Sequence, residues 1–189
     1  MNTPAHLLLG AAILARPHRR GSLTAALAGS LAPDLSLYLM VGWHLGVVGT
    51  PAEIIFRDLY FSERWQTVFA VDNSIFLWLG IFALGVHLAR PWLRTFAATA
   101  LLHIAFDFPF HAGDGRPHFW PLSRWVFDSP ISYWDNAHFG WLLGPAELAL
   151  AGVLLILLIR RFRSASYRAL FALLFAMEAG SSGVWHLVF

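Results

Sequence analysis

The chain has 189 residues and a formal net charge of +2; it is 58% hydrophobic, only 13% charged, and contains no cysteine. A soluble domain of this length carries roughly twice that share of charged residues, so the composition favours a single membrane-embedded bundle. The lack of cysteine excludes disulfide bonds and thiolate metal sites, and the arginines flank apolar stretches instead of forming a nucleic-acid-binding surface.

Six apolar stretches follow one another, and we expect each to form a helix of one membrane domain that comprises residues 1–189. They cover residues 5–15, 22–48, 75–89, 95–108, 139–159 and 167–189. The last two are long enough to span a bilayer, whereas three are short enough to pack inside a bundle or to reach only partway. Pro33 predicts a break in the second stretch, because proline removes a backbone hydrogen bond. The predicted fold is an all-α polytopic membrane helix bundle with about six helical segments.

Charge divides the linkers between these stretches into two groups. One group contains nine arginines and no acidic residue: Arg16, Arg19, Arg20, Arg90, Arg94, Arg160, Arg161, Arg163 and Arg168. The other group contains four arginines together with seven acidic residues. By the positive-inside rule, we expect the first group on the cytoplasmic side of an inner membrane and the segment 103–121 towards the other side. The first apolar stretch precedes its positive charges, the reverse of the order in a signal peptide, so we expect it to be retained.

Ionisable side chains within the apolar stretches are candidate functional residues, because their burial in a membrane is costly. Their depth follows from the distance along the chain to the nearest arginine cluster, at about 1.5 Å per residue. His6 and His103 lie roughly 15 Å deep, and Asp34, Asp107 and Glu147 lie roughly 20 Å deep. Four apolar stretches thus place polar groups at a similar level.

The segment HIAFDFPFHAGDGRPHFWP, which begins at His103, contains the densest group of such side chains. His103 and Asp107 are four positions apart and share a helical face, so they could bind one metal ion together. A proline two positions further on ends this helix and leaves His111 at its mouth. Two glycines allow the following loop to turn back, so we expect Asp114 and His118 over the same cavity.

The next outer segment adds Asp135, His138 and Glu147. Each could orient a metal-ligating histidine or act as a general base, and Asp135 could equally cap a helix. Arg116 and Arg124 lie on the same loops. They could hold a phosphate group, or they could be ordinary arginines of the membrane interface.

Three motifs resemble a known family. The stretch TPAHLLLGAAI, the stretch GSLAPDLS, and HIAFDFPFH followed by GDGRPHFWPLS are similar to the YdjM-like group of membrane-bound, metal-dependent hydrolases, also described as LexA-regulated and inner-membrane-associated. The resemblance includes His6, Asp34, His103, Asp107 and His111. It implies a distant similarity to zinc-dependent phospholipase C, a helical fold that binds metal through His and Asp side chains.

Residues and resemblance together predict a metal-dependent hydrolase. The predicted metal ligands are His6, Asp34, His103, Asp107 and His111. The predicted proton-transfer residues are Asp114, His118, His138 and Glu147, and the predicted substrate-binding residues are Arg116 and Arg124. Without cysteine, this ligand set suits Zn²⁺, with Mn²⁺ or Fe²⁺ as alternatives. The metal would activate water against an ester or phosphoester of an amphiphilic, lipid-like substrate.

Two other functions use the same residues. A transporter could relay protons or a metal ion through the buried acids and histidines, but it would need polar groups in the cytoplasmic half as well. A non-catalytic membrane scaffold could use the metal only for structure.

Overall fold

A computed structural model describes the backbone of residues 1–188 and the side chains of residues 1–181. The described residues form an all-helical fold without strands. The helices are α1 (Thr3–Leu14), α2 (Ser22–Trp43), α3 (Ala52–Ile54), α4 (Glu63–Asp72), α5 (Ile75–His87), α6 (Pro91–Asp107), α7 (Gly140–Arg161) and α8 (Ala165–Val188). A π-helical turn prolongs α2 through Val48, and another follows α3 through Leu59. The predicted all-α bundle is confirmed, with a helix at each of the six apolar stretches.

The second apolar stretch forms one helix, so the break predicted at Pro33 is wrong. Helix α2 continues through the proline. Membrane helices tolerate proline where neighbouring segments bond the surrounding backbone. Here Asn73 donates to the Pro33 carbonyl at 3.0 Å, and His103 Nδ1 lies 2.7 Å from the Ser30 carbonyl oxygen. Because the helix is unbroken, helical geometry fixes the direction of the Asp34 side chain relative to the other residues of α2.

Within the part of the chain that the structure describes, three helical segments are long and apolar enough to cross a membrane: Ser22–Val48, Glu63–His87 and Gly140–Arg161. Large apolar side chains point outward from them, such as Leu39, Val47 and Trp141, each 64% exposed. An apolar exterior of this kind is unfavourable in water but is covered by lipid in a bilayer. The prediction that 167–189 spans the membrane lies partly outside the described residues, because Phe189 and the side chains after residue 181 are not among them.

Helices α1, α2 and α6 approach one another closely because small residues line their contacts. A Cβ atom added to Gly29 would lie 2.0 Å from the Phe96 carbonyl oxygen and 2.2 Å from Thr99 Oγ1. A Cβ atom added to Gly10 would lie 2.0 Å from Ser30 Oγ. Close backbone approach through small residues is a common mode of helix association in lipid. About one turn beyond these contacts, the three helices carry the polar residues of the predicted site.

The arginine-rich linkers at 16–20, 90–94 and 160–168 gather at one end of the bundle. Arg161, in the last turn of α7, donates to the Ala12 carbonyl in the last turn of α1 at 2.7 Å. Helices α2 and α6 also begin at this end. The Phe96 backbone packs against Gly29, and both residues lie near the start of their helices, so the two helices run side by side from there. The predicted site therefore lies towards the end opposite these arginines.

We expect Gly29→Ala to destabilise the bundle by about 1–3 kcal/mol, the usual cost of overpacking a tight contact. The midpoint of thermal unfolding in detergent would measure this loss. Gly42→Ala is the matched control, because it lies on the same helix and an added Cβ there meets nothing within 4 Å. Equal stability of the two variants would contradict the close α2–α6 contact.

The charge distribution also predicts the orientation in the membrane. Because the chain contains no cysteine, Ser123→Cys and Ser164→Cys each introduce a single thiol at an exposed position. In intact cells with a permeable outer barrier, an impermeant maleimide should label the first variant, and it should label the second only after lysis. The reverse pattern would invert the predicted orientation.

Candidate metal centre

The Asp107 carboxylate, at the end of α6, is the centre of a buried polar group. Its Oδ1 lies 2.7 Å from His6 Nε2, and its Oδ2 lies 3.1 Å from His103 Nε2. The Met1 nitrogen also contacts Oδ1, at 2.7 Å. Both histidines are 1% exposed and Asp107 is 7% exposed. One ligand atom from each of His6, His103 and Asp107 lies within 4.8 Å of the others, so this group could hold a metal ion.

The backbone of α2 sets the proton position on His103. The ring nitrogen Nδ1 lies 2.7 Å from the Ser30 carbonyl oxygen, which can only accept a hydrogen bond. In the neutral ring, Nδ1 therefore carries the hydrogen and Nε2 carries the lone pair. Nε2 is buried 3.1 Å from Asp107 Oδ2, and an ionised carboxylate has no hydrogen to donate to this lone pair. This is the arrangement of a metal-ligating histidine, whose second nitrogen donates to a carbonyl or carboxylate.

Two glutamates fix the start of α1 and hence the position of His6. Glu147 Oε1, on α7, accepts from the backbone nitrogen of Asn2, and Glu178 Oε2, on α8, accepts from that of Ala5 at 3.2 Å. The first backbone N–H groups of a helix have no partner within it, so these carboxylates satisfy donors that would otherwise be buried without one. The His6 ring then stacks on the His103 ring, with centroids 3.7 Å apart and planes 12° apart.

The other two predicted ligands lie at the edge of this group. Asp34 Oδ1 is 3.6 Å from His103 Nε2, and the Thr3 hydroxyl donates to Asp34 Oδ2. His111 Nε2 is 3.4 Å from Asp107 Oδ2. The structure thus brings all five predicted ligands together from α1, α2, α6 and the loop after α6.

Asp114 contacts the second ring nitrogen of His111, the one that does not face Asp107. Its Oδ2 is 3.0 Å from His111 Nδ1 and accepts from Trp134 Nε1 at 3.0 Å. Burial disfavours the charged form of His111, but Asp107 and Asp114 outweigh this effect and raise the pKa of His111 to about 9. The two carboxylates therefore favour positive charge at this place.

A cavity of about 650 Å³ opens beside the group. The acidic and basic residues in its wall are Asp34, Asp107, His111, Asp114 and Arg116. Apolar and aromatic side chains form much of the remainder, among them Leu37, Val41, Phe56, Tyr60, Phe61 and Met177. A cavity of this size and lining is typical of a small-molecule site.

The remaining predicted site residues lie elsewhere. His118 is buried with Nδ1 3.1 Å from the Asn73 carbonyl oxygen, and burial lowers the pKa of its ring. His138 is paired with Asp135 at 2.6 Å, and the His138 side chain is 46% exposed. Arg124 is exposed. None of these four is among the residues that line the cavity, nor is Glu147, which holds the start of α1.

Sequence reasoning assigned no role to several residues that shape this site. Glu178 is a buried carboxylate in an apolar stretch, which alone marks it as a candidate for a structural or functional partner. Tyr60 and Phe69 pack against Arg116, and Trp134 contacts Asp114. No spacing rule could identify these aromatic contacts, because they join segments that are distant in sequence.

No protein-family model, curated protein or solved structure matches this chain. The resemblance to YdjM-like hydrolases remains a prediction from the sequence motifs.

The purified protein is expected to bind about one transition-metal ion, and His103→Ala should lose most of it, because removal of a ligand side chain usually costs most of the affinity. Metal content per chain after gel filtration measures this. His138→Ala is the matched control, since it removes an exposed histidine outside the cavity lining. Stoichiometric metal that survives both His103→Ala and Asp107→Ala would contradict the site.

Proposed function

We propose that the protein is a membrane-embedded, metal-dependent hydrolase of an amphiphilic ester or phosphoester. The observation that carries the proposal is the buried group of His6, His103 and Asp107 beside a large, mainly apolar cavity. The cavity could accept an apolar chain, while the polar group, which reaches the cavity wall at Asp107, could act on a nearby bond. The resemblance of the three sequence motifs to membrane-bound hydrolases is consistent with this function.

The donor atoms suit a divalent transition metal. We propose that His6, Asp34, His103, Asp107 and His111 hold it, and that it is Zn²⁺, with Mn²⁺ or Fe²⁺ as alternatives. The fit rests on His103, whose Nε2 lone pair is buried without a hydrogen-bond donor because Nδ1 is committed to the Ser30 carbonyl. When bound, such a metal supplies Lewis acidity and lowers the pKa of water.

The other polar residues of the cavity would orient and transfer protons. Asp114 Oδ2 lies 3.0 Å from His111 Nδ1, so it fixes the direction of the imidazole that faces Asp107. Its second oxygen, Oδ1, is buried without a hydrogen-bond partner and is available to exchange a proton. Of the four residues predicted to transfer protons, Asp114 is the one in the cavity wall. We therefore assign it the positioning and proton-transfer role.

The location follows from the charge distribution. We propose an inner-membrane protein whose cavity opens on the non-cytoplasmic side, because the site lies towards the end of the bundle away from the arginine clusters. A cavity at this depth would receive its substrate from the surrounding membrane lipids.

Asp114→Asn should lower turnover by about 10²-fold, because it removes a carboxylate used for orientation and proton transfer. The metal should stay, since the amide oxygen of the substituted side chain can still accept a hydrogen bond from His111. Rates on chromogenic long-chain carboxylic esters and phosphoesters in mixed micelles, with metal content measured in parallel, test this. Asp58→Asn, at an exposed position outside the cavity, is the control and should retain full rate.

Two results would overturn the proposal. Metal-loaded protein that cleaves no ester or phosphoester would favour the scaffold. Metal or proton flux in proteoliposomes, lost on Asp34→Asn or Asp107→Asn and without any ester cleavage, would establish the transporter instead.

A further inference from the structure

Arg116 is a buried cation in the cavity wall. The residue is 9% exposed, and its guanidinium carbon lies 3.9 Å from the centre of the Phe69 ring and 4.7 Å from that of Tyr60. Among the described side chains, no carboxylate oxygen lies within 4.0 Å of the Arg116 guanidinium nitrogens. Its Nη1 is buried and has no hydrogen-bond partner.

These contacts leave Arg116 only partly satisfied: Nη1 has no acceptor, and Asp72 interacts with the charge only from beyond ion-pair distance. Aromatic rings attract a guanidinium through their electron-rich faces, but they offer no oxygen to its N–H donors. A buried charge and a buried unpaired donor are both unfavourable unless a partner satisfies them. Because Arg116 lines the cavity, a ligand there could provide the missing acceptor.

The chemistry of the donors identifies that acceptor as an anion with several oxygens. The planar guanidinium binds phosphate through two parallel hydrogen bonds, and contact with the Tyr60 and Phe69 rings would restrict its movement. A neutral carboxylic ester has no charge to pair with Arg116. A phosphoryl group has the charge, and it has several oxygens that can accept from the guanidinium N–H donors.

We propose that Arg116 binds the phosphate headgroup of an amphiphilic phosphoester whose apolar chain lies along Leu37, Val41 and Phe61. This choice of substrate rests on the proposed hydrolase function, whereas binding to Arg116 does not require catalysis. A charged headgroup at Arg116 selects phosphoesters over carboxylic esters. Of the two arginines predicted to bind substrate, this proposal assigns the role to Arg116 alone, because Arg124 is exposed and does not line the cavity.

The test compares hexadecylphosphonate with hexadecanol, two probes that share a chain and contain no cleavable ester. Binding to the full-length protein is measured by calorimetry in mixed micelles. The wild type should bind the phosphonate at least about 10-fold more tightly than the alcohol, and Arg116→Gln should lose most of this difference. Arg124→Gln is the matched control and should bind both probes as the wild type does.

A second variant and a competition experiment distinguish the remaining outcomes. If Arg116→Gln does not fold, Arg116→Lys retains the charge without the planar pair of donors, and it should lose part of the preference for phosphonate. Equal phosphonate binding by the wild type and the Arg116 variants would overturn the inference, as would an equal loss in Arg124→Gln. Inorganic phosphate that competes at the same concentration as the phosphonate would assign the site to free phosphate and overturn the amphiphile.

The same probes separate this inference from the hydrolase proposal. Phosphonate binding that depends on Arg116, in a protein that cleaves no ester, would refute the hydrolase and leave the phosphate site intact. Cleavage of carboxylic esters alone, unaffected by Arg116→Gln, would support a hydrolase and refute the phosphate site.

Discussion

The burial of the Asp107 carboxylate is the constraint on which the site depends. An ionised carboxylate in an apolar bundle is stable only when donors or a cation surround it. His6, His103 and His111 supply nitrogens from α1, α6 and the loop after α6, all within 3.4 Å of Asp107 oxygens. His103 and His111 each lie four positions from Asp107 along the chain, so of these three histidines it is His6 that joins a distant segment: its contact ties α1 to the end of α6.

Close helix packing makes this convergence possible. Gly29 and Gly10 let α1, α2 and α6 approach until side chains one turn further along can share a single group. On the other side of α1, the buried carboxylates of Glu147 and Glu178 accept its first backbone N–H groups. Small residues and buried acids thus act together: the former set the distance between helices, and the latter set how far α1 extends into the site.

The cavity combines charged side chains with a mainly apolar lining. Its wall contains three carboxylates, Asp34, Asp107 and Asp114, and one arginine that has no acidic partner within 4.0 Å among the described side chains. A divalent cation would balance the negative charge of the carboxylates, and an anionic ligand would pair with the positive charge of Arg116. A metal with a phosphorylated amphiphile satisfies both requirements in one cavity that is otherwise largely apolar.

The sequence by itself determined the all-α class, the six helical segments and the residues that meet at Asp107. These depend on local facts: the length of apolar runs, the four-residue spacing of His103 and Asp107, and the high cost of burying charge, which leaves few polar residues to consider. Only the tertiary structure decided that α2 continues through Pro33, where side chains distant in sequence contact the Ser30 and Pro33 carbonyls beside the proline. It also decided the roles of the loop residues: Asp114 turns towards His111 while His118 turns to Asn73, and aromatic rings from α4 and the segment before it enclose Arg116 but not Arg124. A loop has no period that fixes which way its side chains point, so their directions depend on the surfaces against which the loop packs.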